Sequence, residues 1–128
     1  LTDYDKDMWL LHATVSDMVS EFMLTAGQDT DADWYEDNEV RKLRDSLLEE
    51  EVEEALDASS QAAVLKELVD VVYVAVGYAV AFGWDFDEAF RRVHESNMSK
   101  LSGATERRSD GKIAKSSTYI KPDLGDLV

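Results

Sequence analysis

Apolar residues recur at mixed three- and four-residue spacing in four stretches, separated by polar or glycine-marked breaks. From about Asp7 to Ala26 the series Trp9, Leu10, Ala13, Val15, Met18, Val19, Phe22 and Met23 keeps this period, and Gly27 is a natural stop. The acidic run QDTDADWYEDNE that follows has no such period and is expected to be a loop. Helices are predicted from about Glu36 to Ala58, from about Ser60 to Phe82 with Gly83 as the C′ residue, and from Asp85 or Asp87 to Leu101. The β-branched VVYVAV has strand character, but it runs into GYAVAFG without a turn signal, and a buried helix fits that length better. Gly77 inside it weakens a helix, which the close approach of a neighbouring helix would justify. The expectation is therefore all-α: a four-helix bundle making one domain over residues 1–128. Its helical core spans about 7–101, and a non-helical tail over about 102–128 lies outside that core.

Composition sharpens this picture. One proline and six glycines leave few breakers, which favours long helices over many short strands. The absence of cysteine excludes disulfides, thiolate catalysis and cysteine-based zinc sites. His12 and His94 are the only nitrogen ligands, and neither has a second one near it in sequence, so any metal must be held by oxygen. A net charge of −15 opposes binding to nucleic acid polymers or an anionic membrane. The charge is unevenly spread: residues 1–70 carry 20 acidic and 5 basic side chains, residues 91–128 carry 5 and 8. The first part calls for a counter-cation and the second for an anion, although on charge alone a solubilising surface explains as much. The opening LTDYDKDMWLLH has acids where a signal peptide needs bases. The longest apolar run, Leu68 to Phe82, is broken by Asp70 and is shorter than the roughly 20 residues of a membrane span. A soluble, cytoplasmic protein is expected.

The second predicted helix contains LRDSLLEEEVEEAL. At about 100° per residue, Glu50, Glu54 and Glu51 fall within one arc of roughly 100°. They continue the apolar stripe of Val40, Leu43 and Leu47, whereas Glu49 and Glu53 point elsewhere, to solvent. On the third helix Glu67 and Asp70 lie one turn apart and share an arc with Ala63, Val71, Val74 and Tyr78. A glutamate run by itself is usually a solvated face; the matching acid pair inside an apolar run argues otherwise. Five inward carboxylates repel one another and lose hydration unless something neutralises them. Mg²⁺ suits the purpose, because it takes oxygen ligands and retains substrate phosphates among them.

EExxE (Glu50, Glu51, Glu54), twelve residues, then ExxD (Glu67, Asp70) resembles the signature of the all-α NTP pyrophosphohydrolases, the group that includes MazG, phosphoribosyl-ATP pyrophosphatase and the dimeric dUTPases. HESNMSK (His94 to Lys100), DGKIAKSSTY (Asp110 to Tyr119) and KPDL are similar to the ending of small, phage- or cassette-borne MazG-like nucleotide pyrophosphohydrolases. The resemblance runs from about Asp17 to Leu124, and the acidic insert between Gly27 and Glu36 departs from it.

The resemblance implies that Glu51, Glu54, Glu67 and Asp70 bind Mg²⁺, with Mn²⁺ as a substitute, and that Glu50 is the general base for the attacking water. The implied reaction takes an NTP or dNTP and water to the monophosphate and pyrophosphate, by attack at the α-phosphorus; attack at the β-phosphorus gives the same products. Deoxynucleotides, purines such as dGTP among them, are the expected substrates. Asn97 and Lys100 become donors to ribose and phosphate, against the simpler alternative of a lysine finishing a helix. Lys112, Lys115 and Tyr119 become groups of a tail that closes over the triphosphate, against that of an unattached basic tail. Trp34, Tyr35 and Phe22 are candidates for base stacking, Phe22 more readily assigned to the core. Relatives form dimers or tetramers, and Val71 to Phe82 is the expected interface. If the gene is carried by a phage, the compartment is the host cytoplasm. Two alternatives remain: a phosphoribosyl-ATP pyrophosphatase, against which the SNMSK and DGKIAK ending argues, and a non-catalytic acidic helical module that binds Mg²⁺ or a basic partner.

Overall fold

The computed structural model describes residues 2–101, 108–114 and 117–128. Among these the fold is all-α: α1 (Asp3–His12), α2 (Val15–Thr25), α3 (Asn38–Asp57), α4 (Gln61–Ala81) and α5 (Phe86–Ser99), then a 3-10 turn at Gly125–Leu127. No helix among the described residues is long and apolar enough to cross a membrane. The chain divides into two compact units, one ending at Trp84 and one beginning at Asp85.

The stretch expected to be a single helix from Asp7 to Ala26 is two helices, which brings the total to five. Ala13 takes an extended conformation (φ −68°, ψ 136°), and Thr14 starts a new helix by a reciprocal cap. The Asp17 N–H donates to Thr14 Oγ1 at 3.1 Å, and the Thr14 N–H donates to Asp17 Oδ2 at 2.9 Å. Two of the donors that every helix start leaves open are thus satisfied locally, so restarting at Thr14 costs little. Thr2 and Asp5 cap α1 in the same way. The remaining boundaries lie within a few residues of expectation, and VVYVAV is helical.

Glycine ends both α2 and α4. Gly27 and Gly83 each have φ +71°. Beyond them the Gln28 N–H reaches Met23 O and the Trp84 N–H reaches Ala79 O, each at 2.9 Å. The Gly27 and Gly83 N–H groups close the inner bonds to Leu24 and Val80. These are Schellman closures, which need a left-handed residue and so select glycine.

In the first unit α4 packs against both α2 and α3. Val19, Met23, Val76, Ala79, Ala81 and Phe82 are its buried apolar side chains. Gly77 is buried where the guanidinium of Arg44 on α3 lies: a Cβ there would meet Arg44 Nη1 at 3.0 Å. Arg44 is only 4% exposed, and it donates from Nη2 to Gln28 Oε1 at 3.2 Å while its Nε has no partner. Removal from water pushes its pKa down, with the Asp29 charge acting in the opposite direction.

The acidic loop between α2 and α3 is anchored at both ends. The Ala32 N–H donates to Ala81 O at 2.9 Å, and Asp33 Oδ1 accepts from the Tyr35 N–H at 2.8 Å in an Asx-type turn. Between these anchors Trp34 enters an aromatic cluster, with ring centroids 5.3 Å from Phe82, 5.4 Å from Trp84 and 6.2 Å from Tyr78. The Arg41 guanidinium lies over the Trp34 ring at 3.8 Å. The insert therefore seals the C-terminal end of α4.

In the second unit α5 is capped by the Asp85 side chain, which accepts from the Glu88 N–H at 3.1 Å. The tail segment over residues 120–126 is fastened along this helix. Arg92 donates to both carboxylate oxygens of Asp126 (2.5 and 2.9 Å), to Asp123 O (3.0 Å) and to Glu88 Oε1 (2.9 Å). The buried Ser96 hydroxyl donates to Ile120 O at 2.7 Å, and the Ile120 N–H donates to Ser99 Oγ at 2.9 Å.

Candidate active site

The three-residue link between α3 and α4 folds one helix back against the other, the arrangement that short connections enforce. Ser60 starts α4 by accepting from the Ala63 N–H at 3.1 Å. Across this pair Glu51 and Glu54 of α3 meet Glu67 of α4, each offering a carboxylate oxygen within 4.8 Å of the other two. Glu51 Oε2 and Glu67 Oε2 are buried without a hydrogen-bond partner. A buried carboxylate oxygen left unpaired is unfavourable, and two of them facing a third acid is the donor set that a hard cation completes. The chemistry of the residues therefore fits a divalent metal.

The electrostatics agree. The Glu51 carboxyl is pushed up to about 6, first by removal from water, then by its hydrogen bond with Glu54 and the charges of Glu54, Asp70 and Glu67. Asp70, one turn beyond Glu67, is half-buried and bound to Lys66: Lys66 Nζ lies 2.6 Å from Asp70 Oδ2 and 3.2 Å from Glu67 Oε1. Glu54 is exposed on one side of the group. Glu50, the expected base, is an exposed residue beside Glu51 and outside the three-acid group; Glu49 and Glu53 are exposed as well.

The second unit gathers the expected phosphate-binding groups among themselves. Lys100 Nζ donates to Asn97 Oδ1 at 3.1 Å and lies 5.7 Å from the centre of the Tyr119 ring. Lys112 lines a cavity together with Lys100. Lys115 lies outside the described residues.

Of the aromatic candidates for base stacking, Trp34 is engaged by α4 and Arg41 as described above. Phe22 meets Tyr73 edge-to-face at 5.8 Å. Tyr35 is 83% exposed. Much of the segment from Val71 to Phe82, expected as a subunit interface, is used within the first unit: Val76, Ala79, Ala81 and Phe82 are buried there, while Leu65, Leu68, Val69 and Val72 of α4 are exposed.

Sequence reasoning missed Lys66, although a lysine four residues before an acid on one helix is a legible ion-pair spacing. It also missed Arg92 with Asp126, for which the sequence carries no signal, and Arg108, which shares the Lys112 cavity.

No curated protein matches the chain. The family model for phosphoribosyl-ATP pyrophosphohydrolase matches residues 18–97, a span that takes in α3, α4 and all of the acidic group and stops short of Lys100 and the tail. On a match to well over half of its length, the chain belongs to the phosphoribosyl-ATP pyrophosphohydrolase family, within the all-α NTP pyrophosphohydrolases that hydrolyse nucleotide pyrophosphate bonds.

Proposed function

We propose that this protein is a Mg²⁺-dependent nucleoside triphosphate pyrophosphohydrolase of the small MazG-like kind. It converts an NTP or dNTP and water to the monophosphate and pyrophosphate, with deoxynucleotides, purines such as dGTP among them, as substrates. The observation that carries this reading is the three-glutamate group with two buried, partnerless oxygens. Mg²⁺ held by Glu51, Glu54, Glu67 and Asp70 supplies the positive charge that neutralises these acids and the phosphates and polarises the phosphoryl group.

Glu50 takes the proton of the attacking water as the new P–O bond forms, and the bond to the bridging oxygen breaks to release pyrophosphate. Its exposure suits a base that must exchange protons with solvent after each turnover. Asn97 donates to ribose or phosphate, Lys100, Lys112 and Lys115 offset phosphate charge, and Tyr119 is a further substrate-binding group. Association into a homodimer or homotetramer would cover Leu65, Leu68, Val69 and Val72 on α4. A free nucleotide pool places the enzyme in the cytoplasm.

Phosphoribosyl-ATP as substrate is the second reading, supported by the family match over residues 18–97. Pyrophosphate release measured over a panel of NTPs, dNTPs and phosphoribosyl-ATP, with and without Mg²⁺, separates the two. Turnover of (d)NTPs that EDTA abolishes is expected. Turnover confined to phosphoribosyl-ATP moves the protein to the second reading, and no turnover of any member leaves a metal-binding helical module.

A further inference from the structure

Lys100 follows the last turn of α5, and its side chain borders a cavity of about 640 Å³ whose wall also carries Arg108 and Lys112. A tight turn presents the latter two. The Arg108 N–H donates to Lys112 O at 2.7 Å and the Gly111 N–H to Arg108 O at 2.9 Å. Gly111 takes φ +85°, which a side chain would strain. Asp110 holds the turn, accepting from the Lys112 N–H at 3.1 Å and pairing with Arg108 Nη2 at 3.3 Å. Among the described residues the cavity lining carries three cations and no carboxylate, in a chain whose net charge is −15. Because α5 points its carbonyl end this way, the helix offers no N–H groups to an anion, and selection falls to the side chains.

We propose that Lys100, Arg108 and Lys112 form a pocket for the pyrophosphate group, in which Arg108 is a phosphate-binding residue that no motif marks. The guanidinium grips two phosphoryl oxygens at once while the two ammonium groups act as point charges. The choice of pyrophosphate as the anion rests on the pyrophosphohydrolase reading; the three-cation pocket does not. Asp110 opposes the ligand, since its charge competes for Arg108.

The test is calorimetric titration of the full chain with inorganic pyrophosphate under metal-free conditions, where the acidic group contributes only repulsion. Arg108→Gln should weaken binding about tenfold, the scale of a charge-assisted hydrogen bond, and Arg108→Lys should recover part of it. Asp110→Asn keeps the acceptor for the Lys112 N–H and removes the competing charge, so it should tighten binding by about two- to fivefold. A purely structural turn would weaken under both changes. Arg91→Gln, which removes the same charge from α5 outside this cavity, should have no effect. Equal affinity for wild type and Arg108→Gln, or no binding to wild type at millimolar pyrophosphate, overturns the pocket. The nucleotide assay run alongside tells the failures apart. Absent turnover with the Arg108 effect intact sinks only the enzymatic reading, whereas normal turnover with unchanged pyrophosphate binding sinks only the pocket.

Discussion

The ammonium of Lys66 lies 2.6 Å from the carboxylate of Asp70, one turn along α4, and leans 3.2 Å from Glu67 on the same side. These hydrogen bonds, to Asp70 first and Glu67 second, hold its pKa above the ordinary lysine value. Lys66 is thus a tethered counter-ion for two of the four acids assigned to the metal. A cation entering the group must displace it, so Lys66→Gln should lower the Mg²⁺ concentration for half-activation by about two- to fivefold, the scale of an accessible ion pair. The metal-free protein should lose some thermal stability. An unchanged Mg²⁺ titration would show that Lys66 does not compete.

Glu50 and Glu53 stand three residues apart on α3, both exposed, and composition does not distinguish them. Glu50→Gln should leave the melting temperature and nucleotide binding nearly unchanged while lowering kcat on the order of 10²-fold or more, the usual consequence of losing a general base. Glu53→Gln should be close to silent. Equal activity in the two variants would remove Glu50 from the mechanism, and equal losses would point to general damage to α3.

The two units should respond to pH with opposite sign. Glu51 has a folded-state pKa of about 6 against an ordinary 4.5, so between those values the folded form holds more protons than the unfolded one. The metal-free protein should therefore lose stability as pH rises from 4.5 to 6, then level off, and Glu51→Gln should flatten that slope. Glu88 is held down to about 2 by Arg91 and then Arg92, and Asp126 is lowered by Arg92. Their contribution is complete above the ordinary carboxylate range and fades as pH falls toward about 2. Thermal melts in EDTA from pH 2 to 8 should resolve both windows; a single monotonic trend would contradict the Glu51 assignment.

Because Arg92 fastens Asp126 and Asp123 O, cutting the chain after Leu101 should lower the melting temperature as well as raise KM. Arg92→Met should speed proteolysis of residues 117–128 and leave α3 and α4 untouched by hydrogen exchange. Tail cleavage at the wild-type rate would show that these bonds do not hold it.

The helical class, the loop before α3, the glycine stops and the approach of Glu51, Glu54 and Glu67 were legible because each follows from a local period or a local stereochemical demand, whereas Glu50, expected on the same inward arc, is exposed and outside that group. Thr14 and Asp17 form a reciprocal cap that the apolar period runs straight through, so the break between α1 and α2 was missed although its residues were in plain view. Arg44 shows the limit of hydropathy. Hydropathy by itself places an arginine in solvent, yet the space left by Gly77 lets this guanidinium lie inside. The attachment of the tail depends on Arg92 meeting Asp126, 34 residues away, and no short-range pattern encodes such a contact.

Trp34 and Trp84, with ring centroids 5.4 Å apart and planes at 47°, make a coupled chromophore at one end of α4. Two of the three tryptophans in the chain sit in this pair, and the third, Trp9, lies on α1. Far-ultraviolet circular dichroism of the protein should therefore carry an exciton couplet from one known place on top of the helical signal. That band reports on the acidic loop's grip on α4 without any added label, and it should survive Trp9→Phe and vanish with Trp34→Phe.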